Sequence, residues 1–275
     1  AIAQGSSERN ISAVIESNDV TRALRAVHSG FYLSAKTISV GVIGAGVVGG
    51  ALLDQLHEQH DRLARQFNLE LRVRAIARSS RMLLGKRAID LSDWQGELTK
   101  SDAPVDFGAF EAHVHTDHLP HAVIIDCTAD KSVAARYPNW LSRGIHVITP
   151  NKRSFSGNYV DYENLQSAAA EGGSHYFYET TVGAALPIIK TIRDLVDTGD
   201  RIHTIKGILS GTLAYLFNVY DGSKRFSEIV REAKANGFTE PDPREDLSGM
   251  DVARKLTILA RELGQTIEIG DFHVQ

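Results

Sequence analysis

An aspartate and a lysine one helical turn apart, Asp251 and Lys255, are the residues whose types and spacing most invite chemistry in this chain. They sit in GFTEPDPREDLSGMDVARK (237–255), between a helix expected over 227–236 and a second one starting near Asp246 or Ser248. Gly237 occupies the position where a left-handed glycine stops a helix. Pro241 and Pro243 then hold the backbone extended. At i and i+4 the Asp251 carboxylate and the Lys255 ammonium face the same way, and Glu240 is presented by the stiff loop before them. Such a set could grip a small zwitterion. It equally fits a solvated helix start, where an exposed ion pair is worth only ~0.3–0.5 kcal/mol and acids gather for electrostatic reasons. The surrounding elements decide between the two.

A dinucleotide site is the first of these. The apolar run Ile38 to Ile43 predicts a buried parallel strand, and Gly44, Gly46 and Gly49 give G-x-G-x-x-G at its end. Val47 and Val48 open a helix predicted to run to about Arg65. In this strand–turn–helix context Gly44 allows the tight turn and Gly46 admits a pyrophosphate to the backbone. Gly49 lets the helix approach the strand, and the helix N-terminus supplies donors. The next strand, Leu71 to Ala77, ends without the acid that holds a ribose 2′-hydroxyl. Arg78, Ser79, Ser80 and Arg81 follow it, which suits a 2′-phosphate and favours NADP over NAD.

Further strands are expected at Ala122–Cys127 and Ile145–Thr149, with one helix over 132–143 between them. Ligands of an open α/β sheet bind outside the carboxyl ends of its strands, so Thr128, Asn151 and Lys152 are candidates there. Lys152 also fits an ordinary solvated strand-end lysine. Residues 85–121 read as the least regular region. His113, His115, His118 and His121 crowd one part of it, but without cysteine or H-E-x-x-H a polar loop is the better reading than zinc. After a helix over 162–171, strands are expected at 175–182 and 202–209, and helices at 188–196 and 211–220. The fold class is therefore α/β, a Rossmann-type parallel-sheet domain followed by an α+β substrate domain. Glu179, beside glycine- and alanine-rich backbone, fits either a hard-cation site or a buried acid at a strand end.

Composition narrows the function classes. The 275 residues are 43% hydrophobic and 23% charged, with a formal net charge of −4. A nucleic-acid partner is not expected from such a balance. No apolar run approaches a membrane span. The single cysteine, Cys127, provides no disulfide framework and fits a cytoplasmic compartment. The chain opens on Ala1 and ends in a strand-like run, as a piece of a longer protein would. A different NADP-dependent dehydrogenase, or a nucleotide-binding module without turnover, would share the glycine loop.

Five blocks in order, IGAGVVGG (43–50), TPNKR (149–153), YETTVGAALPII (178–189), GILSGTLAYLFN (207–218) and the 237–255 stretch, resemble homoserine dehydrogenases. These enzymes interconvert L-homoserine and L-aspartate 4-semialdehyde on the route to threonine, methionine and isoleucine. The likeness runs from about Ile38 to Gly270. The leading ISAVIESNDVTRALRAVHSGFYLS looks like the end of the regulatory domain in fused aspartokinase–homoserine dehydrogenases. The implied division is 1–36 regulatory tail and linker, 37–174 NAD(P)-binding domain, and 175–275 catalytic domain. The resemblance implies that Lys255 donates the proton, that Glu240, Asp246 and Asp251 bind substrate, and that Lys152 lies near substrate and nicotinamide. It implies cofactor contacts at Gly44, Gly46, Val47, Val48, Gly49, Arg78, Thr128, Lys152 and Gly237. It also implies a sodium-type monovalent cation at Glu179, Val182 and Ala184, and a dimer through the substrate domain. The family's chain continues past the position of Gln275 to return to the nucleotide domain, so this stretch alone is expected to be impaired. No aspartokinase block is present.

Overall fold

A computed structural model of the chain describes residues 2–4, 11–24, 27, 36–239 and 242–272. They form two compact units, one of positions up to Cys127 with Arg143–Ile148, the other of Thr128–Ser142 with Thr149 onward. At the start, β1 (Ile2–Gln4) and β2 (Ile11–Ala13) pair antiparallel, and residues 20–24 are helical.

The first unit is organised on β3 (Lys36–Ile43), buried throughout its second half as a parallel strand covered on both faces must be. β4 (Leu69–Ala77) pairs parallel on one side of it and β6 (His121–Asp126) parallel on the other. β5 (Met82–Leu84) adds antiparallel to β4, and β7 (Ile145–Ile148) adds parallel to β6. The order β5-β4-β3-β6-β7 means that the chain leaves β3 first to one side and later to the other. That reversal is the topological switch point where open α/β sheets bind ligands. The 21-residue α1 (Val47–Phe67) presses Leu53 onto Val40, Val42, Val73 and Ile76 of the sheet, with Trp94 beside them. Burying a side chain such as Leu53 contributes about 1.5–3 kcal/mol. The Trp94 indole N–H donates to Asp54 at 2.9 Å, so the largest ring in this layer leaves no orphan donor.

The region expected to be irregular holds more order than its composition suggests. β5 ends just before it, and α2 (Trp94–Lys100) and α3 (Phe107–Val114) lie within it. Asp106 caps α3 by accepting from the Gly108 and Ala109 N–H groups, a start signal ahead of FGAF that the polar reading passed over. His113 bonds to the Gly85 carbonyl at 2.7 Å. Among the described residues no three His, Cys, Asp or Glu side chains group as metal ligands.

In the second unit the helix expected over 132–143 is two pieces, α4 (Lys131–Ala134) and α5 (Tyr137–Ser142). Pro138, lacking an N–H, cannot continue the first ladder and instead begins the second. α6 (Tyr159–Gly172) stops at Gly173, which is left-handed at φ 58°. The strand expected over 175–182 reduces to β8 (Tyr176–Phe177), because Tyr178 turns the chain: its carbonyl accepts from both the N–H and the hydroxyl of Thr181. Phe155, Tyr176 and Tyr178 stack there, centroids 4.0–5.8 Å apart. α7 (Ile188–Asp197) and α8 (Gly211–Val219) follow, but 202–209 is not a strand. No described strand runs beside it to pair its N–H and C=O groups, and Ile205 and Ile208 stay exposed. α9 (Phe226–Ala235) closes on Gly237 at φ 75°, with the Phe238 N–H returning to the Ala233 carbonyl. Instead of one helix start near Asp246 there are two. α10 (Pro243–Leu247) is capped by Asp242, and α11 (Met250–Glu262) begins after a left-handed Gly249.

Candidate active site

The glycine turn of the first unit assigns each glycine a different reason. Gly44 has φ 89°, a conformation L side chains avoid, and its N–H bonds to the Ala77 carbonyl at 2.9 Å. A Cβ on Gly49 would lie 2.3 Å from the Gly44 carbonyl oxygen, so close packing excludes one. A Cβ on Gly46 would meet nothing within 4 Å. Packing therefore does not explain Gly46, whereas a ligand pressed against that backbone would. No side chain caps α1, and Val47, which opens it, is 92% exposed. The helix thus presents uncovered N–H groups and the positive end of its dipole, the chemistry a pyrophosphate needs. The turn is tied to the end of β4, and Arg78 immediately follows Ala77 there, exposed. Among the described residues no hydrogen bond or ion pair engages its side chain, whereas Arg81 is held by the Thr99 carbonyl. These residues fit a nicotinamide dinucleotide.

A charged pocket of about 530 Å³ lies wholly within the second unit. α11 brings Asp251 and Lys255 to it one turn apart, as their spacing predicts. The loop after β7 brings Lys152, and α10 brings Asp246, which is buried. Asp251 bridges the two lysines, with one carboxylate oxygen 3.1 Å from Lys152 Nζ and the other 2.5 Å from Lys255 Nζ. Lys255 also donates to the Leu209 carbonyl at 2.6 Å. Burial by itself would push the Asp251 carboxyl up. The hydrogen bond from Lys255 and the charge of Lys152 outweigh it and hold the carboxyl below its ordinary value. With side chains only 11–20% exposed, this is not the solvated surface pair that the spacing alone allowed.

Lys152 is placed by a polar frame. Thr149 accepts from the Tyr137 hydroxyl and the Asn151 N–H, and the Asn151 amide donates to the Asp130 carbonyl at 3.0 Å. Thr128 lies at the same turn, its hydroxyl accepting from the Asp130 N–H. Gly237 lines the pocket, with Phe238 and Tyr215 in edge-to-face contact as an aromatic wall. Glu240 lies outside the described residues. Ser210, Thr212, Tyr215 and the Leu209 carbonyl belong to the site without having been singled out from sequence. The one local signal among them is Ser210, a helix cap accepting from the Leu213 N–H.

Glu179 lies apart from this pocket. Its two carboxylate oxygens accept from the Ile189 and Lys190 N–H groups at 2.8 and 2.9 Å, capping α7. Between the acid and the helix, Gly183 and Ala184 are both left-handed, at φ 75° and 51°. Ala184 is one of two non-glycine residues with positive φ among those described.

Comparison with known proteins agrees with this geometry. The homoserine dehydrogenase family model matches residues 187–275, the model of that family's NAD-binding domain matches 44–179, and an ACT domain model matches 1–31. Over its whole length the chain is 52% identical to the chloroplastic bifunctional aspartokinase/homoserine dehydrogenase 2 of Zea mays, covering 30% of that protein. Over 86% of its length it is 40% identical to the homoserine dehydrogenase of Schizosaccharomyces pombe, covering 64% of it. A hyperthermophilic archaeal homoserine dehydrogenase solved in complex with NADPH superposes with a TM-score of 0.67 at 25% identity, over 83% of this chain and 70% of that one. The chain thus spans under a third of the length of the bifunctional maize relative. Two matches to one family, in order along the chain, cover the glycine turn and the charged pocket in turn, and this chain belongs to the homoserine dehydrogenase family.

Proposed function

We propose that the protein catalyses the NADP-dependent interconversion of L-homoserine and L-aspartate 4-semialdehyde. The single observation carrying this reading is the pocket in which Asp251 joins Lys152 and Lys255 beside buried Asp246. Homoserine brings an ammonium, a carboxylate and a hydroxyl. Asp246, with Glu240, suits its ammonium, and Lys152 suits an anionic or carbonyl oxygen. Asp251 orients both lysines and the substrate. The dinucleotide, held at Gly44, Gly46, Val47, Val48 and Gly49, supplies hydride exchange at the nicotinamide ring. Thr128, Lys152 and Gly237 are the further residues we assign to it. During reduction Lys255 donates a proton to the alkoxide forming on the aldehyde carbon, and in the reverse direction it takes that proton back. Proton delivery of this kind is worth about 10²–10⁴ in rate, and the ammonium also stabilises the developing oxyanion by charge.

The preference for NADP rests on Arg78, whose exposed guanidinium suits a 2′-phosphate where NAD-selective folds carry an acid. The archaeal relative solved with NADPH supports a phosphorylated dinucleotide. A sodium-type cation at Glu179 with the Val182 and Ala184 carbonyls is part of the same reading, supported by the left-handed Gly183–Ala184 turn beside an anionic side chain. So are a dimer through the substrate domain and the division at 1–36, 37–174 and 175–275, supported by the order along the chain of the ACT, NAD-binding and homoserine dehydrogenase matches. A reducing compartment suits the lone thiol of Cys127.

The test is direct. Mixed with L-homoserine and NADP, the protein produces the absorbance of reduced nicotinamide, and other amino alcohols and hydroxy acids produce far less. A protein that binds NADPH yet turns over none of these substrates would contradict the proposal and favour a nucleotide-binding module.

A further inference from the structure

The helix that carries Asp251 and Lys255 also carries two arginines on an adjacent edge, two turns apart, Arg254 and Arg261. Both reach the loop that begins with Lys152. The Arg261 side chain is 0% exposed. It donates to the carbonyls of Phe155 and Gly157, each at 2.8 Å, and to that of Ile267 at 2.8 and 3.2 Å. The rings of Tyr159 and Tyr162 each lie 5.4 Å from its guanidinium carbon. Arg254 donates to the Ser156 hydroxyl at 3.4 Å, and that hydroxyl in turn donates to the Lys152 carbonyl at 2.7 Å.

We infer that Arg261 is a positioning residue for Lys152, with α11 acting as a ruler that sets the distance from Lys152 to Asp251. The argument is mechanical. On its N-terminal side the loop is fixed by Asn151, whose amide donates to the Asp130 carbonyl and accepts from the Arg153 N–H. On its C-terminal side it is fixed by Arg261. Lys152 leaves the backbone between these anchors, and its ammonium meets Asp251 at 3.1 Å. One rigid helix therefore holds both the loop and the carboxylate that the loop's lysine must reach. A guanidinium can do this because its planar fork engages several carbonyls at once, and a lysine ammonium in its place cannot. Lys255 is different. It springs from α11 itself and is held by Asp251 and Leu209, so its place does not depend on the loop.

That contrast supplies the experiment. Parent, Arg261→Lys and Arg254→Ala proteins are treated with trinitrobenzenesulfonate, and modification of Lys152 and Lys255 is followed separately by mass spectrometry. In Arg261→Lys, Lys152 reacts faster by on the order of fivefold while Lys255 keeps its parental rate, reporting a local opening of the loop. Arg254→Ala gives the same selective change at about twofold. An unchanged Lys152 rate overturns the inference, and so does an equal rise at both lysines, which would mean a merely structural loosening. Should Arg261→Lys fail to fold, Arg254→Ala decides by the same outcomes. The catalytic consequence rests on the function proposed above. Arg261→Lys lowers kcat/KM about tenfold in the parent and less than about twofold in Lys152→Ala, since residues acting through one another are not additive. A parent without homoserine turnover would sink the proposed function and leave the labelling result standing as the test of Arg261.

Discussion

In the first unit the candidate ligand site is made of backbone. A left-handed Gly44, a Gly49 with no room for a side chain and a Gly46 with open space lead into α1, whose first N–H groups no side chain caps, and nothing ionisable forms the turn itself. In the second unit the site is made of side chains from segments a hundred residues apart, held by charge in a half-buried pocket. The first is largely a local motif, its closest packing contact falling between Gly44 and Gly49 and its one distant tie running to the Ala77 carbonyl. The second exists only once the loop after β7, α10 and α11 have come together, and its stability depends on each charge finding its partner. Different substitutions should therefore break the two sites, and should do so in different ways.

The largest effect is expected in the second. Asp251→Asn leaves two ammonium groups in one partly buried pocket without their shared counter-charge, and should cost about 3 kcal/mol of stability along with turnover. Chemical denaturation of parent and variant measures it. The same carboxyl sets an acid limit. Its folded value is depressed, so it binds a proton less readily than in the unfolded chain, where it titrates near 3.8. The contribution is thus complete above that value and is lost as pH falls through the lower folded one. Asp251→Asn should flatten this part of the stability–pH curve, and an unchanged acid limb would remove Asp251 from the account.

Gly49→Ala comes next. Its Cβ meets a backbone carbonyl that cannot swing aside, so about 1–3 kcal/mol of stability should be lost, with NADPH binding falling alongside. Gly46→Ala sharpens the contrast, because its Cβ enters open space. The melting temperature should stay at the parental value while NADPH affinity, read by fluorescence titration, falls by about tenfold. If Gly46→Ala destabilises the free protein, the glycine is there for packing and not for a ligand. The smallest effect concerns Cys127, whose thiol is pushed up to about 11, first by burial and then by the Asp126 charge. Iodoacetamide at neutral pH should leave it unmodified in the folded protein.

The same contrast explains how much could be read from sequence. β3, the glycine turn and α1 were legible because a buried parallel strand, three spaced glycines and a 3.6-residue period are local patterns. Asp251 and Lys255 were legible as a pair, through their spacing, but their burial and the bridge to Lys152 were not, since both depend on the loop after β7. Ser210 and Thr212 look like ordinary cap and helix residues until α8 is placed beside the pocket. The strand expected over 202–209 has the β-branched residues, Ile202, Thr204, Ile205 and Ile208, but a strand requires a neighbour, and composition does not provide one. Conversely, α3 had a clear start at Asp106, obscured by the histidines that follow it.

The most direct test of the division between a dinucleotide turn and a proton-delivering pocket is a single turnover by Lys255→Ala saturated with NADPH. With L-aspartate 4-semialdehyde added, oxidation of bound NADPH should slow by about a hundredfold or more, while NADPH affinity stays at the parental value. A near-parental rate in that variant would contradict the account.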